Sequence, residues 1–299
     1  MATPDWFTEF PQLARATQVA IRKTLDAGYR DFSRTYGDAI EAGFDPLLRL
    51  MIWFEKLLLA TPWWLMIAII VMITALSTRS WKLCSGVIIS LVLIGLFGMW
   101  DNTMRTMAII TICTFISIFM GVPIGILMAR SNRFQSVVIP ILDVMQTMPA
   151  FVYLIPVVML LGIGKIPGLI AVVIYAIPPV IRLTNLGIRM VDKDVLEAST
   201  AFGTTRWQRL TSVQMPLAMP TIMAGINQTI MMALAMVVIA SMIGVKGLGQ
   251  PVLKSITNQY FTLGLFNGLA IVALAIIFDR VSQAYAKRSQ KYLESSLHG

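Results

Sequence analysis

Glu197–Pro216 reads EASTAFGTTRWQRLTSVQMP, a polar, basic stretch with apolar segments long enough to cross a membrane on both sides. Two short helices are legible in it. The first is expected over roughly Asp194 to Phe202 and stops at Gly203, since glycine accepts the left-handed cap that other residues resist. The second is expected to start at Thr205, where Thr205 and Gln208 have capping-box spacing. Pro216 should then close the segment, because proline brings no N–H to a helix interior. Two capped helices on a membrane loop make a rigid knob for a soluble partner. The plainer alternative is an ordinary cytoplasmic loop with two capped turns.

Outward from this stretch the chain is strongly apolar. Its 299 residues are 57% hydrophobic and only 13% charged, against about 25% charged in ordinary soluble domains. Mean hydropathy is +0.76. Apolar runs of about 20 residues are helices that can span hydrocarbon, so the expected class is an all-α polytopic membrane protein. Seven spans are read, at about 62–77, 83–100, 107–129, 139–161, 166–181, 219–244 and 263–281. They divide the chain into an N-terminal interfacial helical segment (1–61), a permease-sized membrane domain (62–285) and a C-terminal tail (286–299). The polar loop under discussion occupies about 182–217.

The fourth span is expected to break at Pro149 and Pro156, and the fifth to end at Pro178-Pro179. Membrane proteins tolerate such kinks where a neighbour or a cavity satisfies the freed backbone groups. Gln146, Thr147, Pro149, Phe151, Tyr153, Pro156 and Tyr175 are therefore the expected lining of a solute path. The alternative is that these are kinked packing helices.

Orientation follows from Lys and Arg placement. Thirteen of them fall in segments on the side of the Glu197 loop. Four (Arg105, Lys165, Lys246 and Lys254) fall in the opposite short loops. An odd span count then puts the N-terminus outside and the C-terminus in the cytoplasm. Residues 1–61 lack the basic-then-apolar start of a signal peptide, so none is expected. In that segment Phe10, Leu13, Ala14, Thr17, Ala20 and Ile21 could form one apolar helical stripe, and Trp6, Phe7 and Trp53 suit a membrane interface. A floppy tail is the alternative. The net charge of +9 needs no nucleic acid, because basic loops facing anionic lipid explain it.

Catalysis fits poorly. Cys84 and Cys113 lie in apolar runs, and the single histidine, His298, is next to the C-terminus. No metal site or His-based triad is therefore expected. Gly162-Ile163-Gly164-Lys165 continues with Ile166, not Ser or Thr, which speaks against a phosphate-binding loop. Gly244, Gly247 and Gly249 follow no strand, which speaks against a dinucleotide site. If transport is ATP-driven, a separate subunit must supply the ATPase. Asp143, one turn before Thr147, is the one acid well inside an apolar run, and a boundary residue held by Gln, Thr or Arg is expected there in preference to an ion ligand.

The spacing Glu197-Ala198-Ser199, Gly203, nine residues, Val213-Gln214-Met215-Pro216 resembles the signature loop of permease subunits in bacterial ABC importers. It departs mildly, with Ser for the second Ala, Val for Ile and Met for Leu. Residues 142–156 (LDVMQTMPAFVYLIP), 216–229 (PLAMPTIMAGINQT) and 237–244 (VVIASMIG) resemble permeases for glycine betaine and proline betaine. The likeness covers about 83–285 and is weak over 1–60.

The resemblance implies a type I ABC importer transmembrane domain. It implies a homodimer, two cytoplasmic ATPase subunits that bind ATP and Mg, an external solute-binding protein, and no cofactor in this chain. Glu197, Ala198, Ser199, Gly203 and Pro216 would couple to the ATPase. The implied substrate is a small quaternary or methylated amine such as glycine betaine, proline betaine or choline. Trimethylamine N-oxide or another small solute is the alternative within the class, and an ion-coupled transporter the alternative outside it.

Overall fold

Hydrocarbon offers a backbone no water, so a spanning segment must satisfy its own N–H and C=O groups. The computed structural model describes residues 13–297, with side chains through residue 284, and every regular element among them is helical. The first is α1 (Arg15–Ala60), followed by α2 (Trp63–Thr78), α3 (Trp81–Leu96) and α4 (Trp100–Arg130). Then come α5 (Asn132–Thr147), a 3₁₀ turn (Ala150–Tyr153), α6 (Leu154–Leu161), α7 (Lys165–Ala176) and α8 (Pro178–Arg189). The chain continues through α9 (Lys193–Ala201), α10 (Arg206–Gln208), α11 (Met215–Ala240), α12 (Gly249–Asn258) and α13 (Phe261–Leu297).

By length and composition, four continuous helical stretches can cross a membrane: Trp100–Arg130, Lys165–Arg189, Arg206–Ile243 and Phe261–Ala284. The number rises to six if α1 with α2, and α5 with the Ala150–Leu161 segment, each count as one bent span. The remaining apolar helix, α3, has 16 residues and is shorter. All seven expected segments thus lie on helices, but fewer than seven are unbroken spans.

Of the prolines expected to break or end a span, only Pro149 breaks its helix as expected. The fourth segment bends by 111° at Met148-Pro149. Proline pushes its predecessor out of the helical region, and Met148 accordingly has φ −70°, ψ 134°, with Pro149 extended after it. Pro156 breaks nothing. It is the third residue of α6, in the first turn, where a missing N–H is not needed. Nor does the fifth span end at Pro178-Pro179. Ile177 keeps helical angles (φ −71°, ψ −31°), both prolines fit the first turn of α8, and the helix continues to Arg189. The expected boundary at 181 therefore moves to 189, and Arg182 lies in the helix instead of the loop.

Helix α8 is the buried centre. Gly121 and Gly125 of α4 form a small-xxx-small face that lets the two backbones meet, as membrane helices require when apolar burial gives no drive. A Cβ on Gly125 would lie 2.8 Å from the Ile181 carbonyl oxygen and 2.6 Å from Thr184 Cβ. On the other side, a Cβ on Gly225 of α11 would lie 2.9 Å from Leu183 Cβ and 3.2 Å from the Pro179 carbonyl.

Helix α1 is braced against α6 and α7. The Ser33 hydroxyl bonds the Met159 and Leu160 carbonyls at 3.1 and 3.2 Å, and the Tyr29 hydroxyl donates to the Pro156 carbonyl. Carbonyls in the last turn of a helix lack intrahelical donors, so at Met159 and Leu160 α1 supplies what α6 leaves open. Farther along, buried Glu55 accepts from Lys165 Nζ at 2.5 Å and faces Arg105 Nε at 3.7 Å. Leu13 and Ile21 of the expected stripe are exposed. Trp53 is exposed too, whereas Trp6, Phe7 and Phe10 lie outside the described residues.

Glu55→Ala should lower the apparent Tm of the purified protein. The cations it leaves behind are about a third exposed and keep part of their hydration, so the expected loss is about 1–3 kcal/mol. A thermal scan that matches the unsubstituted protein would mean that the cluster holds nothing together.

Candidate functional site

The polar stretch folds as its local chemistry dictates. Asp192 caps α9, its carboxylate accepting from Asp194 N at 3.0 Å. Helix α9 ends as expected, with Gly203 at φ +77°. Thr205 and Gln208 form a complete capping box at the start of α10. Arg209 Nη1 donates to Thr200 Oγ1 at 3.1 Å and ties the two helices together. Leu210 anchors the knob in a small core with Ile188, Ala218 and Ile222.

Pro216 does not close the segment. The chain runs from α10 through a π turn (Arg209–Gln214) into α11, with Pro216 at its second residue. Proline clashes with the carbonyl four residues back in a regular helix, and the wider π turn just ahead gives that carbonyl room.

The five residues singled out for coupling therefore sit in different settings. Glu197 and Ala198 are exposed on α9. Ser199 is buried, and its hydroxyl donates to the Leu196 carbonyl at 2.8 Å, so it supports the knob from inside. Gly203 shapes the turn, and Pro216 lies half-buried on α11. Glu197, Lys193 and Arg209 rim an open depression of about 440 Å³. On the same segment Phe202 and Trp207 are 89% and 63% exposed. Neither aromatic was singled out from the sequence, although a large aromatic in a polar loop is itself a signal for a partner.

The expected path residues around the 111° bend divide by burial. Gln146, Thr147, Pro149, Phe151 and Pro156 are exposed on the surface of the single chain. Tyr153 is not, with 7% exposure inside the main core. Its hydroxyl donates to the Met145 carbonyl. In an unbroken helix that carbonyl would accept from residue 149, but proline has no N–H to give. Tyr153 thus replaces the bond that Pro149 removes, and its ring meets Tyr175 edge-on, centroids 5.8 Å apart. Tyr153, expected in the path lining, has its ring packed in the core of the single chain and its hydroxyl engaged. Tyr153→Phe should lower both thermal stability and transport, whereas Phe151→Ala should leave folding intact. Equal Tm for Tyr153→Phe and the unsubstituted protein would refute the staple.

Asp143 is held by arginine, its carboxylate accepting from Arg182 and linking α5 to α8. A second polar link went unread in the sequence. Asn227 Nδ2 donates to Asp279 Oδ1 at 2.9 Å, joining α11 to α13. Among the described residues no group of His, Cys, Asp and Glu could hold a metal. The two cysteines are buried and unpaired.

Residues 121–291 match the model of the family described as binding-protein-dependent transport system inner membrane component. The chain belongs to this family. A member is a multi-pass inner-membrane transport component and not an enzyme. The chain is 49% identical to the glycine betaine/proline betaine transport system permease protein ProW of Escherichia coli, over 79% of this chain and 67% of that one. It is 47% identical to the glycine betaine/carnitine transport permease protein GbuB of Listeria monocytogenes, over 77% and 82%. Identity to the trimethylamine N-oxide transport system permease protein TmoV of Ruegeria pomeroyi is 38%, over 67% and 30%. Among solved structures, the inward-facing MetNI methionine ABC transporter superposes with TM-score 0.57 at 19% identity, covering 62% of this chain and 93% of that one. That likeness shows the type I importer transmembrane fold.

Proposed function

We propose that this family member is the permease subunit of an ATP-driven, binding-protein-dependent importer of glycine betaine or a closely similar quaternary amine. The observation that carries the reading is the graded similarity. Four permeases named for glycine betaine are 46–52% identical, two named for trimethylamine N-oxide 36–38%, and one named for glycine betaine, carnitine and choline together 34%. A methylated ammonium has no N–H to donate, so aromatic faces such as that of exposed Phe151 suit it.

The α9–α10 knob is the docking point for a cytoplasmic ATPase, which binds ATP and Mg. Glu197 and Ala198 contact it, with Phe202 and Trp207 as apolar anchors, while Ser199, Gly203 and Pro216 hold the shape. Two ATPase copies serve a homodimer of this chain, and the exposed bend from Gln146 to Phe151 faces the path between the copies. An external solute-binding protein delivers the substrate. Residues 1–61 form a scaffold segment lying along the membrane, 62–285 the permease domain and 286–299 a cytoplasmic tail.

Stimulation of ATP hydrolysis by a panel of solutes, with the whole complex and its binding protein reconstituted, tests the substrate. Glycine betaine or proline betaine should stimulate. Stimulation by trimethylamine N-oxide alone would move the chain to the alternative solute. The charge split, taken with an odd span count, supports an N-terminus outside and a C-terminus inside. A membrane-impermeant thiol reagent on spheroplasts should therefore reach a cysteine at exposed Arg34 and miss one at Ser289. The reverse pattern would overturn the topology.

A further inference from the structure

A cavity of about 270 Å³ opens between α2, α3 and α13, away from the knob and the bend. Its walls are mostly apolar, with Lys82 and Arg280 at one end and no acidic residue in its lining. Neither cation takes part in any of the four ion pairs among the described residues. Thr74, in the wall, already spends its hydroxyl on the Ile70 carbonyl at 2.8 Å. From Lys82 the lining descends α3 past Gly86 to Ser90, and from Arg280 it descends α13 to Leu269. At 1.5 Å per residue these are runs of roughly 12 and 17 Å. Half of a bilayer's hydrocarbon core is about 15 Å. The groove is therefore one leaflet deep, apolar along its length and cationic at its mouth. At Gly86 an added Cβ would meet nothing within 4 Å, so the space beside α3 is open.

We propose that this cavity seats an anionic phospholipid, one acyl chain lying along Gly86 and the phosphate between Lys82 and Arg280. A free anion would use the mouth but leave the apolar groove unexplained. A zwitterionic lipid would use the groove but not the two cations, which pair with no acid among the described residues. The bound lipid would fill the seam where α13 meets α2 and α3.

The test uses the intact complex of permease and ATPase in mixed-lipid nanodiscs. Phosphatidylglycerol and phosphatidylcholine carrying the same photoreactive acyl chain are cross-linked in parallel, and labelled peptides are mapped by mass spectrometry. Phosphatidylglycerol should label α3 and α13 at least about fivefold more than phosphatidylcholine. The preference should vanish in the double variant Lys82→Gln/Arg280→Gln. Labelling by either lipid should vanish in Gly86→Leu, which fills open space and should keep the normal size-exclusion profile. Equal labelling by the two lipids would overturn the proposal. So would labelling unchanged in both variants, competition by inorganic phosphate, or a disulfide between Gly86→Cys residues of two copies.

Discussion

Gly125→Leu should abolish recovery of a folded complex, while the same change at Gly86 should leave the yield unaltered. The two glycines differ only in what surrounds them. A Cβ at Gly86 enters open space, whereas one at Gly125 lands 2.8 Å from the backbone oxygen of Ile181. A backbone atom cannot rotate away, so α4 and α8 would have to separate. Helix α8 has nowhere to go, because Gly225 of α11 presses on it from the opposite side, 3.2 Å from the Pro179 carbonyl when given a Cβ. Overpacking a core costs about 1–3 kcal/mol even where side chains can yield, and more is expected here. Van der Waals contact is also the main force between helices in lipid, so separation removes the attraction itself. Size-exclusion recovery from membranes measures this directly. Normal recovery and normal Tm for Gly125→Leu would show that the α4–α8 approach is not what holds the domain together.

Gly203→Val should uncouple transport from ATP hydrolysis without preventing folding. Gly203 has φ +77°, yet a Cβ there would touch nothing within 4 Å. The damage is therefore backbone strain alone, about 1–2 kcal/mol for a side chain forced into the left-handed region. That is enough to turn α9 away from α10 and shift uptake by roughly tenfold. A graded series follows from this physics: Asn should be mildest, Ala intermediate and Val worst. Glu197→Lys should lose uptake by a different route, reversing the charge on the exposed rim of the knob. Uptake, ATPase co-purification and hydrolysis are measured on one preparation of each variant. Unchanged uptake for both Gly203→Val and Glu197→Lys would remove the knob from the coupling role.

What was legible in the sequence depended on how local its cause was. The helical class follows from apolar run length, and the knob's two caps follow from residues three to five positions apart. Thr205 with Gln208 and Gly203 therefore formed what their spacing implies. The prolines show the limit. Pro149 follows an extended Met148 and bends the chain by 111°, while Pro178 follows a helical Ile177 and the helix runs on. Only the packing around each decides between the two, and Pro216 likewise was rescued by a π turn that no local signal announces.

Candidate site residues followed the same rule. Phe151 and Tyr153 are two apart, and the intervening 3₁₀ turn sends one to the surface and the other into the core. Tyr153 then repairs the very carbonyl that Pro149 orphaned, a consequence visible only once the bend exists. Glu55 and Lys165 meet across 110 positions, and Ser33 reaches Leu160 across 127. Such long-range pairs leave no periodic trace. The aromatics of the knob, by contrast, are legible in the sequence, since Phe202 and Trp207 are large apolar side chains in a polar loop.

ATP-driven uptake tests the transport reading most directly. Proteoliposomes would contain this chain with its ATPase, ATP inside and the binding protein with labelled glycine betaine outside. Accumulation should require ATP and the binding protein together, persist when ion gradients are collapsed by ionophores, and fall roughly tenfold with Gly203→Val. Accumulation driven by a proton or sodium gradient without ATP would contradict it and make the chain an ion-coupled transporter.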